Sequence, residues 1–133
     1  MKLTTKIKGV VPIAPTPFHD DGRIDETSLH RLIDFFMGCG IDGITVMGQL
    51  GEASKLDARE ALSIVSQVVK RAKVPIIVGV SSPGFAAMRA LAREAMDLGA
   101  AGVMIAPINT LRTDDQIVGY YRDAAEAIGR DVP

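Results

Sequence analysis

The sequence has no tryptophan, one cysteine (Cys39) and only 5% aromatic residues. A single cysteine excludes an internal disulfide and is typical of a reducing compartment. With few large rings, a core must be built from Val, Ile, Leu, Ala and Met, and hydrophobic residues make up 47% of the chain. This composition excludes wholesale disorder and indicates a globular fold.

The sequence also lacks an excess of charge of either sign and a long apolar run. Fifteen Lys and Arg face sixteen Asp and Glu, a formal net charge of −1, which argues against a nucleic-acid-binding surface. No run approaches the roughly 20 apolar residues that span a bilayer, and residues 1–8 contain no apolar signal-peptide stretch. We therefore expect a cytoplasmic protein with neither a membrane nor a nucleic acid as partner.

What the chain does contain is a regular alternation of apolar runs and amphipathic segments. Strands are predicted at 9–14, 44–47, 75–80 and 102–106, and a helix follows each of them. The predicted helices run from the cap to the end residue as follows: Asp25 to Gly38, Asp57 to Ala72, Ser82 to Gly99 and Thr113 to Gly129. Capping boxes are expected at two of these helix starts. The order βαβαβαβα predicts a parallel sheet with helices outside it.

The predicted sheet has two unprotected borders. Four βα units alone would leave two apolar edges open, and Asp131–Pro133 repeats the Val-Pro ending of Lys73–Pro75, which leads into a strand. A closed barrel needs about 250 residues. We expect an α/β fold in which residues 1–133 are the first four βα units, the N-terminal half of a single (β/α)8 TIM barrel. A complete doubly wound α/β domain is the alternative.

Reactive groups in parallel α/β folds lie beyond the carboxyl ends of the strands. Four segments follow those ends, at 15–18, 48–52, 81–84 and 107–110. In Gly48–Glu52, glycines flank a tight turn. Backbone N–H groups in such a turn can bind a carboxylate or a phosphate, although a turn without a ligand would have the same sequence.

Other conspicuous residues point to structure rather than chemistry. His19 and His30 have no acidic or cysteine partner at ligand spacing, so no metal site is expected. Cys39 is interpreted as a small packing residue, and Glu52 as a structural carboxylate at a helix start. No lysine lies on a predicted strand, whereas Schiff-base chemistry requires a desolvated amine.

Several segments together resemble the dihydrodipicolinate synthase / N-acetylneuraminate lyase family. They are Gly9–Phe18 with its T-P-F triplet, Asp25, the G-x-x-G-E turn Gly48–Glu52, Pro75–Val80 and Leu98–Gly102. The resemblance covers nearly the whole chain in order. It implies a (β/α)8 barrel, usually a homotetramer, that needs no cofactor and performs class I aldolase or lyase chemistry on pyruvate or another 2-oxo acid.

The resemblance also implies where the catalytic groups lie. The Schiff-base lysine and an assisting tyrosine would fall beyond Pro133. Substrate-binding positions in hand would be Thr16, Gly48, Gln49 and Leu50, and the proton-relay positions would be Gln49 and Asn109.

These positions depart from the family's usual pattern. The turn usually reads G-T-T-G-E or G-S-T-G-E, but here its centre is Gln49 and Leu50, and Ile108 and Asn109 replace a tyrosine pair. An amide can form hydrogen bonds but cannot relay a proton as a hydroxyl does. A Schiff-base-forming lyase or aldolase that acts on pyruvate or a related 2-oxo acid, similar to dihydrodipicolinate synthase but with altered proton-relay positions, is the favoured interpretation. A non-catalytic or regulatory barrel of the family and an unrelated phosphate-binding α/β domain are the alternatives.

Overall fold

Helices and short strands alternate along the chain in the computed structural model, which describes residues 2–133; Met1, part of the predicted 1–133 domain, lies outside them. The helices are α1 (Glu26–Gly38), α2 (Ala58–Arg71), α3 (Phe85–Asp97) and α4 (Asp114–Ile128), and the strands are β1 (Ile44–Val46), β2 (Ile76–Gly79) and β3 (Gly102–Met104). A single 3₁₀ turn, Ala53–Lys55, precedes α2. Of the part of the chain described, no helix has both the length and the apolarity needed to cross a bilayer.

The three strands form one parallel sheet in the order β1-β2-β3. Ile44 pairs with Ile76 and Val46 with Val78, while Gly79 pairs with Met104. Parallel neighbours joined by helices are the arrangement that the alternating pattern predicts. The second, third and fourth predicted strands are therefore confirmed, each one or two residues shorter than expected.

The first predicted strand, 9–14, forms only a single parallel bridge, between Ile13 and Thr45. Thr45 donates to the Pro12 carbonyl and accepts from the Ala14 N–H, both at 2.8 Å. To continue this ladder toward the N-terminus, the next donor would have to be an N–H at position 12, and proline has none. The segment therefore lies beside β1 as the fourth member of the sheet, but proline prevents it from becoming a regular strand.

Side chains define three of the four helix starts. The Asp25 carboxylate accepts from the Ser28 N–H, and both expected capping boxes are present, Asp57 with Glu60 and Thr113 with Gln116. These bonds satisfy amides that no helical carbonyl can reach. The helix α3 differs from the prediction, because it begins after Gly84, which offers no side-chain cap.

The core lies between the sheet and the helices. Each helix buries one apolar stripe against it, and the most buried large side chains are Leu29, Ile33, Ile64, Val65, Val68 and Met88 from the helices and Ile44, Val46 and Val78 from the strands. Aliphatic groups dominate this list, as the shortage of aromatic rings predicts. The strands are apolar on both faces, which is typical of a sheet covered by helices.

The amino-terminal end of the sheet is held by the two ends of the chain. Leu3 donates to the Ala101 carbonyl at 2.6 Å, and Val103 donates to the Pro133 carbonyl at 2.8 Å. On the other border, Val10 and Ile13 are exposed. The helices and strands are thus four successive βα units with an open border along the first of them.

Candidate active site at the carboxyl ends of the strands

The turn that follows β1 has an unusual backbone. Met47 has φ +60° and Glu52 has φ +53°, both in the left-handed region although neither is glycine. Such residues cost about 1–3 kcal/mol each and persist only where the surroundings enforce them. Residues 47–52, which we call the β1 turn, are therefore held by the rest of the fold.

One side chain outside the β1 turn is bonded directly to it. The Thr16 hydroxyl donates to the Gly51 carbonyl at 2.6 Å, and Thr16 is buried. At Gly51 a Cβ would lie 3.2 Å from the Ala14 carbonyl oxygen, so the segment after the first bridge packs tightly against this end of the turn. The structure thus brings together Thr16 and the glycine turn, two features that are 35 residues apart in the sequence.

The centre of the β1 turn presents free backbone donors. Among residues 2–133, the N–H groups of Gln49 and Leu50 donate to no backbone carbonyl. Both residues are exposed, with Leu50 60% accessible. Neighbouring free amides in a tight turn form a concave site for an anion such as a carboxylate. The role of this turn in binding stays a prediction, and its backbone donors are present without a hydroxyl side chain at Gln49 or Leu50.

The inner face of the turn is apolar and close-packed. A Cβ on Gly48 would lie 3.1 Å from Ile13 Cγ2 and 3.4 Å from Met104 Cε. Side chains from the first bridge and from β3 therefore meet at Gly48. Glycine at position 48 permits this close approach.

The segments after β2 and β3 are joined to each other. The Ser81 hydroxyl oxygen accepts from the Ala106 N–H at 2.7 Å, and Val80 donates to the Met104 carbonyl at 3.0 Å. Sequence reasoning did not single out Ser81, although its place directly after a strand was a usable signal. Met47 was also missed, because backbone strain leaves no mark in a sequence.

Asn109, the other predicted relay position, is exposed after β3. Its carbonyl accepts from Arg112 Nη1 at 2.9 Å, and in the part of the chain described no hydrogen bond joins it to the β1 turn. Ile108 beside it is half-buried and packs against the core. The two predicted relay positions thus follow β1 and β3, at the same end of the parallel sheet.

The histidines, Glu52 and Cys39, which the sequence favours as structural residues, have different surroundings in the structure. His30 Nε2 lies 2.8 Å from Gln67 Oε1, and no cluster of three or more potential metal-ligating side chains occurs among residues 2–133. Glu52 forms an exposed ion pair with Lys55. The interpretation of Cys39 as a small packing residue is wrong, since Cys39 is exposed at the C-terminal end of α1.

Of the two adjacent tyrosines, one packs in the core and one faces solvent. Tyr120 is buried, 5.9 Å from the Phe85 ring, whereas Tyr121 is exposed. Within residues 2–133 the Tyr120 hydroxyl has no hydrogen-bond partner, and burial raises the pKa of that hydroxyl. Tyr120 is thus a neutral packing residue under ordinary conditions.

A separate open cleft of about 610 Å³ lies between the N-termini of α1 and α2. Its lining includes Arg23, Arg59, Glu26 and Glu60, so charges of both signs face it. The Asp25 carboxylate there is already bonded to Ser28, which lowers its pKa. Nothing in this cleft converges on one kind of ligand, and the β1 turn remains the candidate site.

Fold and site together define the class of protein. Four βα units with a glycine turn at the carboxyl end of the sheet form the N-terminal half of a (β/α)8 barrel, and this end of the strands is where barrels of this kind have their active sites. A family model described as the dihydrodipicolinate synthetase family matches residues 6–132. The chain belongs to this family, which excludes the unrelated phosphate-binding domain.

Known relatives are much longer than this chain. A dihydrodipicolinate synthase structure from Rhodopseudomonas palustris is 61% identical with a TM-score of 0.94, covering 100% of this chain and 44% of its own. A 4-hydroxy-tetrahydrodipicolinate synthase of Pelobacter propionicus is 34% identical over 129 residues, 95% of this chain and 43% of the relative. A trans-O-hydroxybenzylidenepyruvate hydratase-aldolase of Sphingobium xenophagum is 36% identical over 92% of this chain and 40% of the relative. These relatives are lyases, and the chain spans less than half of their length.

Proposed function

We propose that the protein carrying this chain is a Schiff-base-forming lyase or aldolase that acts on pyruvate or a related 2-oxo acid. Residues 1–133 would form the N-terminal half of its single barrel domain. The observation that carries the proposal is the β1 turn, whose free Gln49 and Leu50 amides lie at the catalytic end of the sheet. A 2-oxo acid offers a carboxylate to such donors and a ketone to an amine.

In this proposal the two halves have different tasks. The half described here binds the carboxylate through the backbone at Gly48, Gln49 and Leu50, with Thr16 bracing the turn and able to accept a further hydrogen bond. The other half supplies a lysine, whose amine adds to the ketone and loses water to form an imine. The protonated imine then accepts the electron pair of a bond broken at the neighbouring carbon.

The altered relay positions bear on which reaction follows. Gln49 and Asn109 carry amides, which hold a hydrogen bond without passing on a proton. Protons must then move by another route, through substrate, water or residues of the other half. This favours a lyase, dehydratase or aldolase on another 2-oxo acid over the synthesis of dihydrodipicolinate.

Borohydride trapping tests the proposal directly. The purified gene product is incubated with pyruvate or one of several longer 2-oxo acids and reduced with borohydride. Its mass is then measured by mass spectrometry, both intact and after digestion. We expect one reduced adduct on one lysine outside residues 1–133. Absence of an adduct with every 2-oxo acid would refute the Schiff-base function, as would a gene product that ends at Pro133.

A binding protein of the same descent is the second candidate, favoured by the absence of hydroxyls at Gln49, Leu50, Ile108 and Asn109. It predicts that a 2-oxo acid binds, as measured by calorimetry, but leaves no adduct after reduction. Binding without trapping would therefore select this candidate, and trapping would exclude it.

Gln49 is the side chain best placed to select the substrate, because it is exposed beside the free amides. We predict that Gln49→Ala lowers kcat/KM by roughly tenfold, the loss expected for one hydrogen bond of about 1–1.5 kcal/mol. Replacement of exposed Ser54, beyond the turn, by Ala is the matched control. An unchanged kcat/KM for Gln49→Ala would reject the role.

We further propose that the protein is a cytoplasmic homotetramer that requires no cofactor. The family resemblance supports the assembly, and the lone cysteine supports a reducing compartment. Sedimentation of the purified gene product should give one species of four subunits. A monomer at micromolar concentration would contradict this assembly without affecting the trapping result.

A further inference from the structure

Gly79, the last residue of β2, lies directly under the β1 turn. A Cβ on Gly79 would be 2.0 Å from the Met47 carbonyl oxygen and 2.7 Å from the Met47 carbonyl carbon, closer than real Cβ atoms ever approach. The Met47–Gly48 peptide therefore occupies the space that any side chain at position 79 would need. This position must be glycine for the turn to have its present course.

Neither partner in this contact can move away freely. Met47 has its strained φ of +60° and a side chain that is only 4% exposed in the core. Gly48, the next residue, is already against Ile13 and Met104. Gly79 itself is fixed by its register with Met104 in the sheet. An added methyl group must therefore displace the peptide that begins the turn.

The displaced peptide leads straight to the free amides. Gln49 and Leu50 follow Gly48, and the other end of the turn is held by the hydroxyl of Thr16 on the Gly51 carbonyl. The positions of the two amides therefore depend on two contacts, which we call the supports of the turn. One is the packing of Gly79 against the Met47–Gly48 peptide, and the other is the hydrogen bond from the buried Thr16 hydroxyl. Moving either support moves donors whose hydrogen bonds weaken steeply with distance and angle.

We propose that Gly79 is a positioning residue for the carboxylate of the bound 2-oxo acid, with the Thr16 hydroxyl as the second support of the same turn. This proposal rests on the function proposed above. Gly79 acts through the course of the Met47–Gly48 peptide and does not itself touch the substrate.

Gly79→Ala in the purified gene product tests the proposal, with Gly119→Ala as control, since a Cβ there meets nothing closer than Arg122 Nη2 at 3.7 Å. Borohydride trapping is titrated with pyruvate and with acetone, a ketone without a carboxylate. We expect the pyruvate concentration for half-maximal trapping to rise at least about tenfold in Gly79→Ala, while acetone trapping stays near wild type and the protein remains folded, with a lower Tm. Tenfold corresponds to about 1.4 kcal/mol of lost binding.

Equal losses with pyruvate and acetone, or an insoluble Gly79→Ala protein, would overturn the positioning role and make Gly79 a residue of the fold alone.

Thr16→Val and Thr16→Ser test the second support. We expect Val to raise the half-maximal pyruvate concentration severalfold and Ser, which keeps the hydroxyl, to restore it; equal values for Val and Ser would overturn the support. Failure of the proposed function is recognised separately, because wild type itself would then trap neither compound.

Discussion

Gly9→Ala is the substitution whose cost can be worked out most fully from the structure. Gly9 has φ +103°, a conformation that only glycine adopts without strain. A Cβ there would lie 1.8 Å from Asp42 Oδ2. That same oxygen accepts the Val10 N–H at 2.8 Å, which ties the first bridging segment to the entry of β1. The new methyl group therefore strains the backbone and expels the carboxylate.

The two effects have separate magnitudes. Backbone strain at this φ costs about 1–3 kcal/mol. Loss of an exposed hydrogen bond to the Asp42 carboxylate adds about 1 kcal/mol. We therefore expect Gly9→Ala to lower the free energy of unfolding by about 2–4 kcal/mol, and Asp42→Ala alone to lower it by about 1 kcal/mol.

A double-mutant cycle separates strain from the carboxylate contact. Urea unfolding of the wild-type, the two single variants and the double variant gives the four free energies. In the Asp42→Ala background, Gly9→Ala should cost about 1 kcal/mol less than in wild type, since the hydrogen bond has already been lost. Strictly additive costs would refute the contact, and a cost below 0.5 kcal/mol for Gly9→Ala would refute the strain as well.

Two further predictions concern the helices. Ile33→Ala, in the fully buried stripe of α1, should lower the free energy of unfolding by about 2–5 kcal/mol, whereas Phe35→Ala on the exposed face of the same helix should change it far less; equal costs in urea unfolding would contradict the assigned stripe. Hydrogen bonds from Ser28 lower the pKa of the Asp25 carboxyl at the start of α1, so its stabilisation is present above the unfolded pKa of about 3.9 and is lost as pH falls through the folded pKa. Asp25→Asn keeps a capping oxygen but cannot titrate, so its thermal stability should fall less than that of wild type between pH 5 and pH 2; parallel losses would show that Asp25 is not responsible.

The alternation of apolar and amphipathic segments was sufficient to predict the parallel sheet and all four helices, because each element has its own periodicity and most helices have a side-chain cap. Pro12 has no N–H to donate, and only the structure shows that a single bridge remains of the first predicted strand. The start of α3 was misplaced because Gly84 provides no capping side chain to read. Local signals thus predicted the elements, and their exact ends depend on contacts distant in sequence.

The geometry of the candidate site could be predicted only in part for the same reason, and its role in binding stays a prediction. The glycines at 48 and 51 marked the turn, and position after a strand marked its role. The contact between Gly79 and the Met47 carbonyl joins residues of different strands, and no local pattern encodes it. The resemblance pairs Asn109 with Gln49 as relay positions, yet the Asn109 carbonyl accepts a hydrogen bond from Arg112 in the same loop.

The exposed side chains at the centre of the β1 turn offer a practical opportunity for engineering. In the proposed site, Gln49 and Leu50 would bind through backbone N–H groups that do not depend on their side chains, so a combinatorial library at these two codons would vary the chemistry presented to a substrate and keep those donors. The glycines beneath and beside them are the codons to keep constant. Such a library would separate recognition of the common acid group from choice of the remaining portion of the molecule.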